Sequence, residues 1–319
     1  MKNFNHEPHE HHELLVHSLS LFVLVRVVRG KFFFRKILLI FIIVLFLFSC
    51  KTIKTTEDVK KYIPLKYPVV LVHGVNANDR GKNNKTWGRI PEEFERNGIK
   101  VFFGNTDAWG DYESNAEILH NSIENILRET NSEKVNIIAH SKGGLDSRYC
   151  IWKYNYGDKV ASLTTISTPH HGSELADMVY NKEITHSKMG KKALMTYGKL
   201  YGDTNPDLYN VEYQLTTEYM KKFNEEVSID ERVYYQSIYA VMESPYDDLM
   251  LYNTNRYIKK ISGDNDGVVS EYSAKWSDNI TKIEGGISHR EIIDQKKKKG
   301  INMPAVYLKI VNDLCEKGF

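Results

Sequence analysis

Short apolar runs, each cut off by a polar or glycine-bearing turn, set the rhythm of this chain from residue 67 onward. Pro68 to Val72 is apolar at every position, the pattern of a strand buried on both faces. Similar runs at Lys100–Phe103, Val135–Ala139 and Val160–Ile166 predict three more strands, and Arg232–Val241 and Tyr257–Ile261 predict two others. Between the strands the apolar period lengthens to that of a helix. Pro91 opens one such segment, with Phe94 on its inner face. Ser114 and Glu117 read as a capping box ahead of Ile118, Leu119, Ile123, Ile126 and Leu127. Leu145–Lys153 predicts another helix, and Gly285 to His289 leads into a last one through Ile292 and Ile293. Strands alternating with helices predict an α/β fold around a mostly parallel sheet. The alternation stops between Ser173 and Glu231, where Met178, Met189, Met195, Tyr197 and Tyr201 sit among lysines without a strand pattern. That stretch, about 174–231, predicts amphipathic helices forming a lid over the C-terminal edge of the sheet. Its methionines and aromatics suit an apolar substrate of loosely defined shape.

The first 66 residues follow a different pattern. His6, His9, His11 and His12 lie among acidic residues and read as part of a leader rather than a metal tract. Leu14–Val28 is apolar but broken by His17 and Arg26, too short and interrupted for a membrane span. Arg29, Lys31, Arg35 and Lys36 then precede an unbroken apolar run, Ile37 to Phe48, which ends in Ser49-Cys50. A charged start, an apolar core and a small residue at the end describe an export signal. Leu47 to Cys50 resembles a bacterial lipoprotein box, which implies cleavage before Cys50 and its lipidation; Phe48 departs from the usual small or β-branched residue. An uncleaved N-terminal anchor is the alternative. Both place the rest of the chain outside the cytoplasmic membrane, anchored to it. Residues 1–50 are therefore expected to be leader and signal or anchor, 51–66 a polar tether, and 67–319 one domain of about 250 residues.

Charge narrows the function. The 43 basic and 41 acidic residues nearly cancel, which argues against a nucleic-acid partner. Lys296–Lys299 is the strongest basic cluster and reads as a solvated helix end. Three cysteines make no disulfide framework, and Cys150, set among apolar residues, reads as a small buried hydrophobe.

The chemistry is concentrated where the run Val135–Ala139 stops. His140-Ser141-Lys142-Gly143-Gly144 follows it and a helical segment comes next, the strand–turn–helix context of a nucleophile elbow, here Ala139-x-Ser141-x-Gly143. The small residues flanking Ser141 answer a steric demand, because strand and helix nearly touch at such a turn. Lys142 N–H lies at the helix N-terminus, aimed where an oxyanion would form. A second donor, Val75 N–H, follows the strand that ends in His73-Gly74. A serine of this kind needs an acid and then a histidine further along the chain. Ser262 to Val269 is a Gly- and Asp-rich turn that supplies Asp266, with Asp264 as the fallback, and His289 sits on a late turn. Of the histidines after Ser141, His170, His171 and His186 lack a preceding acid of this kind, and His170 and His171 read as loop residues at a strand end rather than metal ligands.

Tyr67–Gly74, Lys134–Gly144, Ser147–Tyr149, Thr168–Ser173 and Asn265–Gly267 together resemble bacterial triacylglycerol lipases of the Pseudomonas and Burkholderia type and their Gram-positive kin. The resemblance is nearly continuous through Gly172, weak in the lid, and resumes around Asp266 and His289. It implies an α/β-hydrolase fold and lipase or esterase activity on acylglycerols, with Ser141, Asp266 and His289 catalytic and Val75 and Lys142 at the oxyanion hole. Ala139 replaces the family's first elbow glycine, as in some Bacillus lipases. No cofactor is required by this chemistry, but several members bind a structural calcium near the catalytic histidine. The matching positions here are Glu291 and Gln295, with Asp247 or Asp248 upstream. The alternatives are a phospholipase or acyltransferase with the same triad, or a non-catalytic surface lipoprotein that binds a partner through its lid face.

Overall fold

The computed structural model describes residues 65–79, 86–181, 203 and 206–319. The leader, Cys50, most of the tether and residues 182–202 of the expected lid lie outside the described residues. Among the described residues, six strands form one sheet: β1 (Val69–Val72), β2 (Val101–Phe103), β3 (Val135–His140), β4 (Val160–Ile166), β5 (Tyr234–Ala240) and β6 (Ile280–Ile283). Their order is β2-β1-β3-β4-β5-β6 and every pairing is parallel.

Strand alternation divides the apolar residues between two helical layers. Val69 and Leu71 of β1 and Ile138 of β3 face Ile90 and Phe94 of α1 (Ile90–Arg96), and Tyr307 and Val311 of the C-terminal helix Met303–Glu316. Val70, Val72, Ile137 and Ala139 face Leu119 and Ile123 of α2 (Tyr112–Thr130) and Ile151 of α3 (Lys142–Tyr154). Both faces are covered, which is why these strands read as continuous apolar runs rather than alternating ones. The arrangement is an α/β-hydrolase fold.

Several elements depart from the sequence expectation, each for a local reason. Tyr257–Ile261 is not a strand but part of a helix, Tyr252–Ser262, in which Asn255 and Ile258 turn inward while Ile261 remains 58% exposed. The sixth strand is β6, an edge strand whose first two residues are exposed, so its Ile-Thr-Lys-Ile sequence carries little apolar signal. Ser114 does not cap α2. Asp111 does, its carboxylate accepting the Ser114 N–H at 2.7 Å. Ile292 and Ile293 are buried, but in turns, and Asp294 adopts φ +58°, which breaks any helix there. The last helix starts only at Met303, with Pro304 in its first turn.

Within the expected lid, the described residues contain three helices: α4 (Glu174–Tyr180), α5 (Leu208–Gln214) and α6 (Thr217–Glu226). Met220 and Phe223 of α6 pack against Tyr112 and Leu145, so α6 is bound to the body of the domain. Arg148 of α3 extends this contact, its guanidinium 4.0 Å from the Trp276 ring and donating to Asn224 at 3.0 Å.

Candidate active site

The sheet order reverses between β1 and β3, and open α/β sheets bind their ligands at the strand C-termini of such a reversal. Gly74 follows β1 there and Ser141 follows β3. Ser141 adopts φ +55°, ψ −131°, a conformation that costs a non-glycine residue about 1–3 kcal/mol. The turn is held by Ser141 N–H donating to Ile166 at 2.9 Å and Gly144 N–H donating to the Ser141 carbonyl at 3.0 Å. Close packing fixes it further. A Cβ on Gly143 would stand 2.4 Å from the His73 carbonyl oxygen, and one on Gly74 would stand 2.6 Å from Ser141 Cβ. Only glycine lets the β1 end, the elbow and the α3 start meet. Lys142 is the first residue of α3, so its N–H is among the helix donors without an intrahelical acceptor.

The Lys142 side chain folds inward. Its ammonium lies 2.6 Å from Asp146 Oδ1, and both groups are almost fully buried. Asn115 Nδ2 donates to the other Asp146 oxygen at 2.9 Å. Burial pushes the Asp146 carboxyl above its usual range, and the Lys142 charge and hydrogen bond offset part of that rise. The i,i+4 spacing of Lys142 and Asp146 was the available sequence signal for this pair.

His289 and Asp266 meet in the loops that follow the helix Tyr252–Ser262 and β6. His289 Nδ1 is 2.7 Å from Asp266 Oδ2, and His289 N–H donates to the Asp266 carbonyl at 2.9 Å. The other carboxylate oxygen accepts the N–H groups of Val268 at 3.0 Å and Val269 at 2.8 Å. Asp266 is buried, and both of its carboxylate oxygens are hydrogen-bonded. Asp264 instead pairs with Lys259 at the surface, 3.0 Å away. The His289 ring lies 4.4 Å, centroid to centroid, from that of His140, the residue before Ser141, so the histidine loop is packed against the elbow. Burial, and then the neighbouring His289, push the His140 pKa well below the usual imidazole value. His140 therefore stays neutral beside the site.

The remaining sequence candidates take structural positions. His170 Nε2 lies 3.0 Å from Thr165 Oγ1 and its ring stacks on Trp276 at 4.7 Å. His171 Nε2 lies 3.2 Å from the Lys275 carbonyl. Cys150 is wholly buried, and that burial pushes its thiol pKa up.

Two of the calcium ligands expected from the sequence come together. Asp248 and Glu291 do converge, both on Ser288: Ser288 Oγ donates to Asp248 Oδ2 at 3.0 Å and Ser288 N–H to Glu291 Oε2 at 3.0 Å. Gln295 is exposed. Arg290 grips Asp248 with two nitrogens, at 2.7 and 3.1 Å, while Lys296 lies 2.7 Å from Glu291. Calcium needs six to eight oxygen ligands. Among the described residues no group of three or more His, Cys, Asp or Glu side chains could hold a metal ion. The residues present do not fit a calcium ion.

Residues 68–284 match the profile of the palmitoyl protein thioesterase family. The chain belongs to that family. Its relatives are lipases and esterases as well. It is 28% identical to triacylglycerol lipase 2 of Saccharomyces cerevisiae, over 78% of this chain and 83% of the yeast protein. It is 38% identical to a triacylglycerol lipase of Pseudarthrobacter phenanthrenivorans, but that match spans 37% of this chain and 38% of the relative. The mature form of the Bacillus licheniformis lipase BlEst2 superposes with a TM-score of 0.58 at 25% identity, covering 80% of this chain and 96% of that structure. This member of the palmitoyl protein thioesterase family is thus an α/β-hydrolase of lipase and esterase kinship, a carboxylic ester hydrolase.

Proposed function

We propose that the protein hydrolyses acyl esters of lipids through a Ser141–His289–Asp266 triad. Ser141 Oγ attacks the acyl carbonyl while His289 Nε2 takes its proton. Asp266, bonded to Nδ1, fixes the imidazole tautomer and stabilises its charged form. The N–H groups of Val75 and Lys142 receive the oxyanion, and losing one such donor costs about 3 kcal/mol in comparable sites. His289 returns the proton to the leaving alcohol. A water then attacks the acyl-enzyme with the same histidine as base. The observation that carries this reading is the 2.7 Å His289–Asp266 bond, on a loop packed against an elbow with Ser141 at φ +55°.

The names of the relatives favour a lipid ester as substrate. So does a turn next to the site. Tyr246, Leu249 and Met250 are 71–74% exposed on the segment that also carries Asp248. Large apolar side chains displayed together mark a surface that meets an apolar partner. The charged-then-apolar leader ending at Cys50 supports export and membrane anchoring. The family match favours a second substrate, an S-acyl thioester, which needs the same triad and differs only in the leaving group.

Full-length protein assayed on p-nitrophenyl esters of increasing chain length, and on a palmitoyl thioester, tests both substrates. Ser141→Ala, His289→Ala and Asp266→Ala are each expected to lose about 10⁴-fold or more in kcat. No turnover of any ester or thioester by the wild type, with no labelling of Ser141 by a fluorophosphonate probe, refutes the enzyme reading. The ratio of oxygen-ester to thioester turnover decides between the substrates.

A further inference from the structure

The loop that carries His289 is held by charge from within the chain. Three carboxylates, Asp247, Asp248 and Glu291, gather behind it. Asp248 and Glu291 are nearly fully buried, and both bond Ser288, the residue before His289. Carboxylates brought this close repel unless a cation separates them. Here the cations come from the loop itself. Arg290 holds Asp248. Lys296 Nζ lies 2.7 Å from Glu291 Oε1, 2.8 Å from the Asp247 carbonyl and 3.7 Å from Asp248 Oδ2. Lys298 Nζ lies 3.0 Å from Asp247 Oδ1 and 3.8 Å from Glu291 Oε2, and it also donates to the Gly286 carbonyl. The Lys296 ammonium therefore stands among three oxygens, the Asp247 carbonyl and the Asp248 and Glu291 carboxylates, and supplies the positive charge there.

We propose that Lys296 and Lys298 are positioning residues that replace a structural divalent metal, tying the segment 285–291 to the 247–248 turn so that His289 is held toward Ser141 without any metal ion. The inference rests on the reading of His289 as the catalytic base. The run Lys296–Lys299 is then only partly a solvated basic patch. Lys296 and Lys298 face inward on alternate positions, and Lys297 and Lys299 are exposed.

The test compares full-length wild type with Lys296→Met and Lys296→Arg, before and after EDTA and with added calcium. In the wild type, neither kcat nor the melting temperature is expected to respond to EDTA or calcium. Lys296→Met is expected to lose about tenfold or more in kcat on a soluble short-chain ester, with KM within about twofold, because a misplaced base slows the chemistry more than binding. Lys296→Arg keeps the charge and is expected to restore most of that loss. Lys296→Gln replaces Lys296→Met if the latter does not fold. Wild-type activity or melting temperature that falls with EDTA and returns with calcium overturns the proposal. So does a Lys296→Met variant with wild-type kcat and melting temperature. The melting measurements do not depend on catalysis. A wild type that hydrolyses no ester therefore removes the functional reading, while they still decide whether the loop depends on metal.

Discussion

The elbow that carries Ser141 is fixed by the close meeting of regular elements, whereas the loop that carries His289 has no regular element and adds ion pairs to three buried isoleucines. At the elbow, β1, β3 and α3 converge on two glycines, and the backbone itself leaves one conformation for the serine. Around His289 there is no helix or strand between Ile283 and Met303. Its order comes from three core isoleucines, Ile287, Ile292 and Ile293, and from carboxylates meeting cations: Asp248 with Arg290, Glu291 with Lys296, and Asp294 with Arg89, whose guanidinium nitrogens lie 2.6–2.7 Å from the Asp294 carboxylate. The two halves of the site should therefore fail in different ways. The elbow is sensitive to added volume. The loop is sensitive to lost charge and to acid.

The largest effect is expected at Asp248. Asp248→Ala leaves Arg290 without its carboxylate and Ser288 Oγ without its acceptor in a buried position. Removing one partner of a buried pair costs roughly 3–5 kcal/mol. Because Arg290 is partly exposed, the low end of that range is expected. Denaturant titration measures it, and a loss under about 1 kcal/mol would mean that charge is not what holds the loop.

Gly143→Ala should cost less stability and act elsewhere. The added methyl meets backbone, the His73 carbonyl, and has no flexible side chain to displace. Overpacking of this kind typically costs about 1–3 kcal/mol. The shift it forces also displaces the Lys142 N–H, the proposed oxyanion donor, so on that proposal kcat should fall by more than stability alone explains. Equal activity per folded molecule in Gly143→Ala and wild type would show that the elbow tolerates a looser fit than its geometry implies.

This contrast also explains what could be read from the chain and what could not. The elbow was legible because its demands are local: an apolar strand, a serine and small residues at fixed offsets, then a helix. β1, β3 and β4 were legible because both of their faces are buried. The His289 loop was placed only approximately, since Ile292 and Ile293 look helical in sequence but lie in turns. The fold pairs Arg89 with Asp294 across 205 positions and Asp248 with Arg290 across 42, and no local pattern announces such partners. β6 leaves little trace in the sequence for the opposite reason: an exposed edge strand requires few apolar residues. The lysine run shows the same limit. Which of its charges point inward depends on carboxylates distant in sequence.

The smallest effect, and the one that separates the two halves most cleanly, is the response to acid. Burial raises the carboxyl pKa values of Asp248 and Asp294. The hydrogen bonds and charge of Arg290 and Arg89 outweigh that effect and hold both below the usual carboxylate value. A carboxylate whose pKa is lower folded than unfolded contributes stability that is fully present above its unfolded pKa and is lost as pH falls through the folded one. The His289 loop should therefore weaken as pH drops below about 4, where unfolded aspartates are already about half protonated and the folded ones still charged. Asp248→Asn removes one of these groups, so its melting temperature should start lower at neutral pH and decline less steeply on the acid side than that of the wild type. Gly143→Ala leaves both carboxylates in place and should follow the wild-type slope at an offset. Parallel acid limbs in all three proteins would mean that the two aspartates contribute no pH-dependent stability, and the contrast between a loop held by charge and an elbow held by packing would lose its support.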